Sequence, residues 1–167
     1  SSITYQWERS GVDISGANSA TYVLVQADVG STITVNAQYT DDQTIEENVT
    51  AEATDAVTNV NDAPTISGTP AATVAEDTPY SFTPAAADVD GDTLTFSITN
   101  KPDWATFSTS TGALTGTPNN SNVGTTTDIV ITVSDAAASI ALAAFAIEVT
   151  NVNDAPTISG TPAATVA

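Results

Sequence analysis

The chain has 167 residues, with 20 acidic side chains against two basic ones, Arg9 and Lys101, for a formal net charge of −18. A body this acidic repels phosphate backbones and anionic lipid surfaces, which excludes nucleic acid as a partner and argues against direct membrane insertion. Cysteine and histidine are absent, which excludes disulfides, thiolate metal sites and imidazole chemistry.

Stability must then come from packing or from hard cations bound by oxygen. Hydrophobic residues make up 41% of the chain, enough for a packed core, and the mixture of Val, Ile, Ala and Thr leans towards strands. No run of about 18 apolar residues marks a membrane span. The opening Ser1, Ser2 and Ile3 do not read as a signal peptide, and the sequence has the look of an excerpt from a longer one. The acidity has two readings, a surface kept soluble by charge or carboxylates that bind divalent cations, and the placement of the acids must decide between them.

Residues 1–58 precede a string, NVNDAPTISGTPAATVA at 59–75, that recurs letter for letter at 151–167, 92 residues on. A period of that length fits a tandem array of whole domains better than a short-period solenoid. One complete repeat therefore spans about 60–151, preceded by the tail of a different module. Inside it, short strands alternate with turn residues. The segment 78–83 (TPYSFT) places Tyr80 and Phe82 on one face. In 93–99 (TLTFSIT), Leu94, Phe96 and Ile98 point one way; in 127–133 Ile129, Ile131 and Val133 do, and in 144–150 Phe145, Ile147 and Val149. Gly-, Pro-, Asn- and Asp-rich breaks fall at 88–92, 100–103, 110–112, 116–124 and 134–138. The Ala-rich stretch 136–146 has helical propensity, but its neighbours and the period-2 spacing favour a strand. About seven strands in roughly ninety residues predicts an all-β fold, a Greek-key β-sandwich.

The ordered motifs AED (75–77), DVDGDTLTFSI (88–98), P-x-W-x-x-F (102–107), STGALTGTP (110–118), VSD (133–135) and the closing NVNDAP resemble a dystroglycan-type cadherin-like domain across 60–156. Such domains recur in giant secreted (RTX-type) adhesins of Gram-negative bacteria, where N-x-N-D-A-P joins modules. Residues 1–58 resemble the later strands of bacterial immunoglobulin-like repeats from the same kind of protein. Trp7 corresponds there to the strand-C core tryptophan, and Asp28, Val29 and Gly30 to the turn before a strand carrying Ile33, Val35 and Ala37. The implied organisation is the C-terminal part of an immunoglobulin-like sandwich over 1–58, a linker at 59–64, a complete cadherin-like sandwich over 65–150, a linker at 151–156, and the first strand of the next repeat at 157–167. The first two strands of the 1–58 module are missing, either because the sequence is a fragment or because a neighbouring copy supplies them by strand addition.

Asp88, Asp90 and Asp92 form a D-x-D-x-D loop with Gly91 at its turn. Carboxylates on alternating loop residues converge, which suits the six to eight oxygens about 2.3–2.6 Å from Ca²⁺. An EF-hand reading fails, since neither the distal Glu nor flanking helices follow. The cadherin resemblance implies calcium between modules. At the N-terminal end Asn59, Asn61 and Asp62 of the linker join Asp88, Asp90, Asp92 and Asp135; at the other end Glu76 and Asp77 meet Asn151, Asn153 and Asp154. The cadherin acidic segment is replaced by Leu114, Thr115, Gly116, Thr117 and Pro118, so the second site carries fewer formal charges. The bland alternatives are a solvated turn at 88–92 and a capped turn at Asn61 and Asp62 ahead of Pro64.

Without His or Cys the familiar nucleophile–base pairs are missing. The paired acids lie in loops with no insertion to build a cleft, so the expectation is that the chain is not an enzyme. The resemblance implies a calcium-stiffened spacer of a secreted, cell-surface adhesin whose partners are neighbouring modules. Two alternatives stay open: a carbohydrate-binding module using Tyr5, Tyr22, Tyr39 or Trp104, and a filament subunit in which 157–167 of a neighbouring copy is the donor strand.

Overall fold

The computed structural model describes residues 2–161. The chain falls into two compact units: residues up to Asp62 together with Val89–Gly91, and Ala63–Asp88 together with the residues from Asp92 onward. Among the described residues no helix is long and apolar enough to cross a membrane.

The first unit is one antiparallel sheet of β1 (Thr4–Arg9), β2 (Val12–Asp13), β3 (Ile33–Thr40) and β4 (Glu46–Thr50), in the order β2-β1-β3-β4. Tyr5 lies opposite Ala37, Trp7 opposite Val35, and Ala37 opposite Val49. Cross-strand partners share a face, so these side chains make one apolar surface. Thr4 opposite Gln38, Gln6 opposite Asn36 and Asn36 opposite Thr50 make the reverse face polar. Among the described residues of this unit only Asp28 and Ile33 are buried. The unit is a single layer whose apolar face is half covered, and Trp7 is accordingly half-buried rather than a fully enclosed core residue.

What orders the segment beside this sheet is an ion pair between half-buried Arg9 and the buried carboxylate of Asp28. Arg9 Nη2 lies 2.6 Å from Asp28 Oδ1, and Arg9 Nε donates to the same oxygen at 2.7 Å. Asp28 Oδ2 accepts from the Tyr22 hydroxyl at 3.0 Å and from the Val25 N–H at 2.8 Å. Burial alone pushes the Asp28 carboxyl up, but the Val25 N–H, Arg9 and Tyr22 together hold it below its ordinary value of 3.8. The hydrogen bond to Asp28 raises Arg9 in turn.

The second unit is an all-β sandwich. Its strands are β5 (Thr65–Ser67), β6 (Thr73–Ala75), β7 (Tyr80–Phe82), β8 (Ala85–Ala87), β9 (Thr95–Thr99), β10 (Ala105–Phe107), β11 (Leu114–Gly116), β12 (Gly124–Ser134), β13 (Ser139–Ala141) and β14 (Phe145–Thr150). Where the sequence predicts about seven strands, the described residues hold these ten, most of them short. The difference has a local cause: Gly68 (φ 143°) and Pro70 interrupt the first strand, and Pro84, with no N–H to give a ladder, separates β7 from β8. The 136–146 stretch is not helical, but the predicted strand is only partly present: β13 and the first residues of β14 are separated by 142–144, and a bend with Ala136 at φ 82° precedes β13.

The long β12 organises the sandwich. Its first half pairs with β14, and β14 pairs in parallel with β6; past an irregularity between Thr126 and Ile129 its second half pairs with β9 and β13. A second sheet runs β10-β11-β7, and β5 pairs with β8. Ile129, Ile131 and Val133 are fully enclosed, and with Leu114, Ile147, Val149, Phe96, Phe82, Tyr80 and Val74 they form one core. Each such side chain contributes about 1.5–3 kcal/mol on burial. The glycines of the STGALTGTP motif serve this packing. Gly112 (φ 70°) has the Phe96 ring 2.7 Å from where a Cβ would stand, and a Cβ at Gly116 would stand 2.5 Å from the Trp104 carbonyl oxygen.

The two copies of the repeated string differ in structure. In the first, Ile66 packs against the core from β5 and Val74 is buried in β6. In the second, 157–161 belong to no strand and Ile158 is 100% exposed. The remainder of the predicted strand, 162–167, lies outside the described residues.

Candidate metal centre

The loop after β8 folds back at Gly91 (φ 78°), where no neighbouring atom lies within 4 Å of a Cβ position, so it is the backbone turn and not packing that asks for glycine. The turn brings one carboxylate oxygen from each of Asp88, Asp90 and Asp92 within 4.8 Å of one another, with Asp88 and Asp90 half-buried and Asp92 exposed. The Asp92 N–H reaches back to Asp88 Oδ1 at 3.3 Å. Within the first unit, to which 89–91 belong, Asp90 Oδ2 accepts from the Asp62 N–H at 2.7 Å and Oδ1 from Gln26 Nε2 at 2.8 Å. The same Gln26 amide donates to Asn59 Oδ1 at 3.3 Å. Asn61 turns its amide to the Asp62 carbonyl at 3.1 Å. Asp135 is buried and its Oδ1 caps the following turn, accepting from the N–H groups of Ala137 and Ala138 at 2.7 and 2.6 Å.

Glu76, Asp77, Asn151, Asn153 and Asp154, like Asp88, Asp92 and Asp135, lie in the second unit. Glu76 is 2% exposed. Its Oε1 accepts from Asn151 Nδ2 at 2.7 Å and from the Val152 N–H at 2.6 Å. Its Oε2 is buried with no hydrogen-bond partner among the described residues. A buried carboxylate oxygen left without a donor costs free energy, and a cation is one group that relieves it. Asp77 (φ 60°) donates its N–H to the Pro118 carbonyl at 2.8 Å. Asp154 Oδ2 accepts from Asn120 Nδ2 at 2.9 Å, a residue the sequence reading does not single out. Asn153 makes a long contact to the Asp154 carbonyl at 3.4 Å.

The donor sets suit a hard cation, since they are oxygen only and rich in carboxylate. The aromatic residues suit a stacking role less well. Trp104 packs against the core with its ring 5.7 Å from Tyr80 in an edge-on arrangement. Trp7 and Tyr22 are tilted 30° with centroids 5.8 Å apart, and Trp7 Nε1 donates to the Ser19 carbonyl at 2.9 Å.

Residues 63–150 match the family model He_PIG, described as "Putative Ig domain". No curated protein matches the chain. Among solved structures, an endo-fucoidan hydrolase of glycoside hydrolase family 107 is 26% identical over 77% of this chain and 20% of its own, with a TM-score of 0.42. Human protocadherin-24 EC1-2 is 20% identical over 54% of this chain and 44% of its own, TM-score 0.39. Human CDH23 EC21-23 is 13% identical over 90% and 62%, TM-score 0.49. The chain thus spans a fifth of the first of these proteins and under two thirds of the others.

Proposed function

We propose, from the premise that this chain belongs to the He_PIG family of Ig domains, that it is a spacer of a secreted bacterial surface adhesin, stiffened by calcium at its linkers. Ig-like and cadherin-like β-sandwiches are typically extracellular structural or adhesive modules and typically not enzymes, although fold alone does not fix function. The repeated NVNDAP at 59–64 and 151–156 would then be the joint between modules in tandem.

The observation that carries this reading is the convergence of Asp88, Asp90 and Asp92 within 4.8 Å in a chain that has two basic residues to answer its acids. These three are the proposed ligands of a Ca²⁺, together with the linker residues Asn59, Asn61 and Asp62 and with Asp135. Glu76, Asp77, Asn151, Asn153 and Asp154 would hold a second. A bound ion supplies positive charge that cancels carboxylate repulsion, and its bonds restrain whatever segments provide the ligands. An ion that binds the ordered joint and not the flexible one stabilises it by mass action.

Scanning calorimetry and small-angle scattering with calcium or with a chelator test the proposal. Calcium is expected to raise the melting temperature and narrow the spread of interdomain angles, and Asp90→Ala to remove the part owed to the 88–92 loop. Chelation that changes neither quantity overturns the stiffening mechanism.

A further inference from the structure

We infer that Asn120 sets the affinity of the cation site proposed around Glu76: its amide holds Asp154 when no ion is bound and turns its oxygen to the ion when one binds. This rests on the calcium reading above. It adds the residue that stands in for the carboxylate missing from 114–118.

Three segments of the second unit are tied together at Glu76. The Glu76 N–H donates to the Thr150 carbonyl at 3.0 Å, and Glu76 Oε1 accepts from the Asn151 amide and the Val152 N–H. The Asp77 N–H donates to the Pro118 carbonyl at 2.8 Å. Two residues further on, Asn120 Nδ2 donates to Asp154 Oδ2 at 2.9 Å. Segments 76–77, 118–120 and 150–154 thus form a closed circuit of hydrogen bonds. Glu76, 2% exposed, belongs to that circuit with its Oε2 lacking a donor among the described residues. A buried carboxylate oxygen so placed is short of positive charge.

The turn that carries Asn120 is fixed from within. The Pro118 side chain ahead of it is fully buried. Asn119 Oδ1 accepts from the Ser121 N–H at 2.9 Å and from the Ser121 hydroxyl at 2.6 Å, and Asn122 Oδ1 accepts from the Asn119 N–H at 2.9 Å. Asn119, Ser121 and Asn122 therefore use their side chains to hold the turn itself. Asn120 reaches out of it instead, to a carboxylate 34 residues away.

The residue type suits this role. Neither basic side chain answers Asp154: Arg9 is paired with Asp28, and Lys101 donates to the carbonyls of Pro102 and Ala105. An amide has donors at one end and an acceptor at the other. Rotation about its terminal bond trades the N–H that holds Asp154 for a neutral oxygen of the kind calcium takes. Aspartate at this position would meet Asp154 with like charge whenever no ion is bound. Lysine would put a fixed positive charge where the ion belongs. Asparagine does neither, so the segments stay tied without the ion and the site still accepts it.

Titration calorimetry and melting curves of the full chain, in an Asp90→Ala background that removes the 88–92 loop from the reading, test this. Asn120 is exposed, so its substitutions leave the core intact. Asn120→Ala is expected to weaken calcium binding about 10–100-fold, the usual effect of losing a group that supports a metal ligand. Asn120→Asp should bind calcium more tightly than the background protein yet melt lower in chelator. Asn120→Lys should melt higher in chelator and lose its calcium increment. A turn residue with no part in the site does not move calcium affinity in opposite directions for alanine and aspartate. In isotope-labelled protein the Asn120 side-chain amide signals should shift as calcium is added. Calcium bound alike by the background protein and all three variants overturns the role of Asn120 and leaves the calcium reading standing. Binding that vanishes in the background protein confines the ion to the 88–92 loop and also overturns it. A native chain that binds no calcium overturns both.

Discussion

Replacing Glu76 with glutamine separates a buried acid kept for a cation from one kept for packing. The substitution preserves shape and the acceptor that takes the Asn151 and Val152 donors. It changes the other terminal atom, the oxygen that is buried without a partner. In chelator each protein leaves one buried polar atom unsatisfied, at about 1–3 kcal/mol for the amide and more for a charged carboxylate, so the calcium increment is read within each protein rather than between them. In calcium at a hundred times its dissociation constant the native protein gains about 2.7 kcal/mol. At roughly 4–8 °C per kcal/mol for a domain of this size, that is a rise of about 10–20 °C in melting temperature. The amide nitrogen presents hydrogens where the ion needs a lone pair, so the variant should gain little from calcium at this site. Calorimetry of both proteins in calcium and in chelator reads all four quantities. An equal calcium increment in native and Glu76→Gln protein would refute the assignment of Oε2 to a cation.

Two further predictions concern the frame around these sites. Leu114, fully enclosed between its partners Phe82 and Phe107, should cost about 2–5 kcal/mol when cut to alanine; a urea midpoint scarcely below that of the native protein would contradict the single-core description. Asp28 has a folded value held below its ordinary 3.8, so its contribution to stability is present above 3.8 and is lost as pH falls through the lower folded value. Acid unfolding of the first unit, followed by Trp7 fluorescence in a Trp104→Phe background, should flatten in that range when Asp28 is replaced by asparagine.

The strands with strict alternation were legible because one face of each meets the same core: Ile129, Ile131 and Val133 are spaced by two and all three are fully enclosed. The interruptions at Gly68 and Pro84 also carry local signals, though the alternation on either side masks them. The carboxylate trio was legible for a similar reason, since a five-residue loop fixes its own geometry. The Arg9–Asp28–Tyr22 network was not, because Asp28 reads as an ordinary turn residue until the register of β1 against β3 brings Arg9 within reach. The pairing of Asn120 with Asp154 joins residues 34 apart in sequence through side chains alone, and the unpaired oxygen of Glu76 depends on what a fold fails to place beside it. Neither leaves a pattern in the sequence.

The parallel pairing of β6 with β14 bears on how the second unit carries load. Thr73, Val74 and Ala75 lie beside Glu148, Val149 and Thr150. The ladder is closed at its ends by Glu148 N–H to the Ala72 carbonyl at 2.9 Å and Glu76 N–H to the Thr150 carbonyl at 3.0 Å. Tension applied through the chain before β6 and after β14 draws these two strands past each other lengthwise. Their hydrogen bonds are then loaded together in shear rather than peeled apart one at a time, so the seam that completes the sandwich is also its tensile clasp.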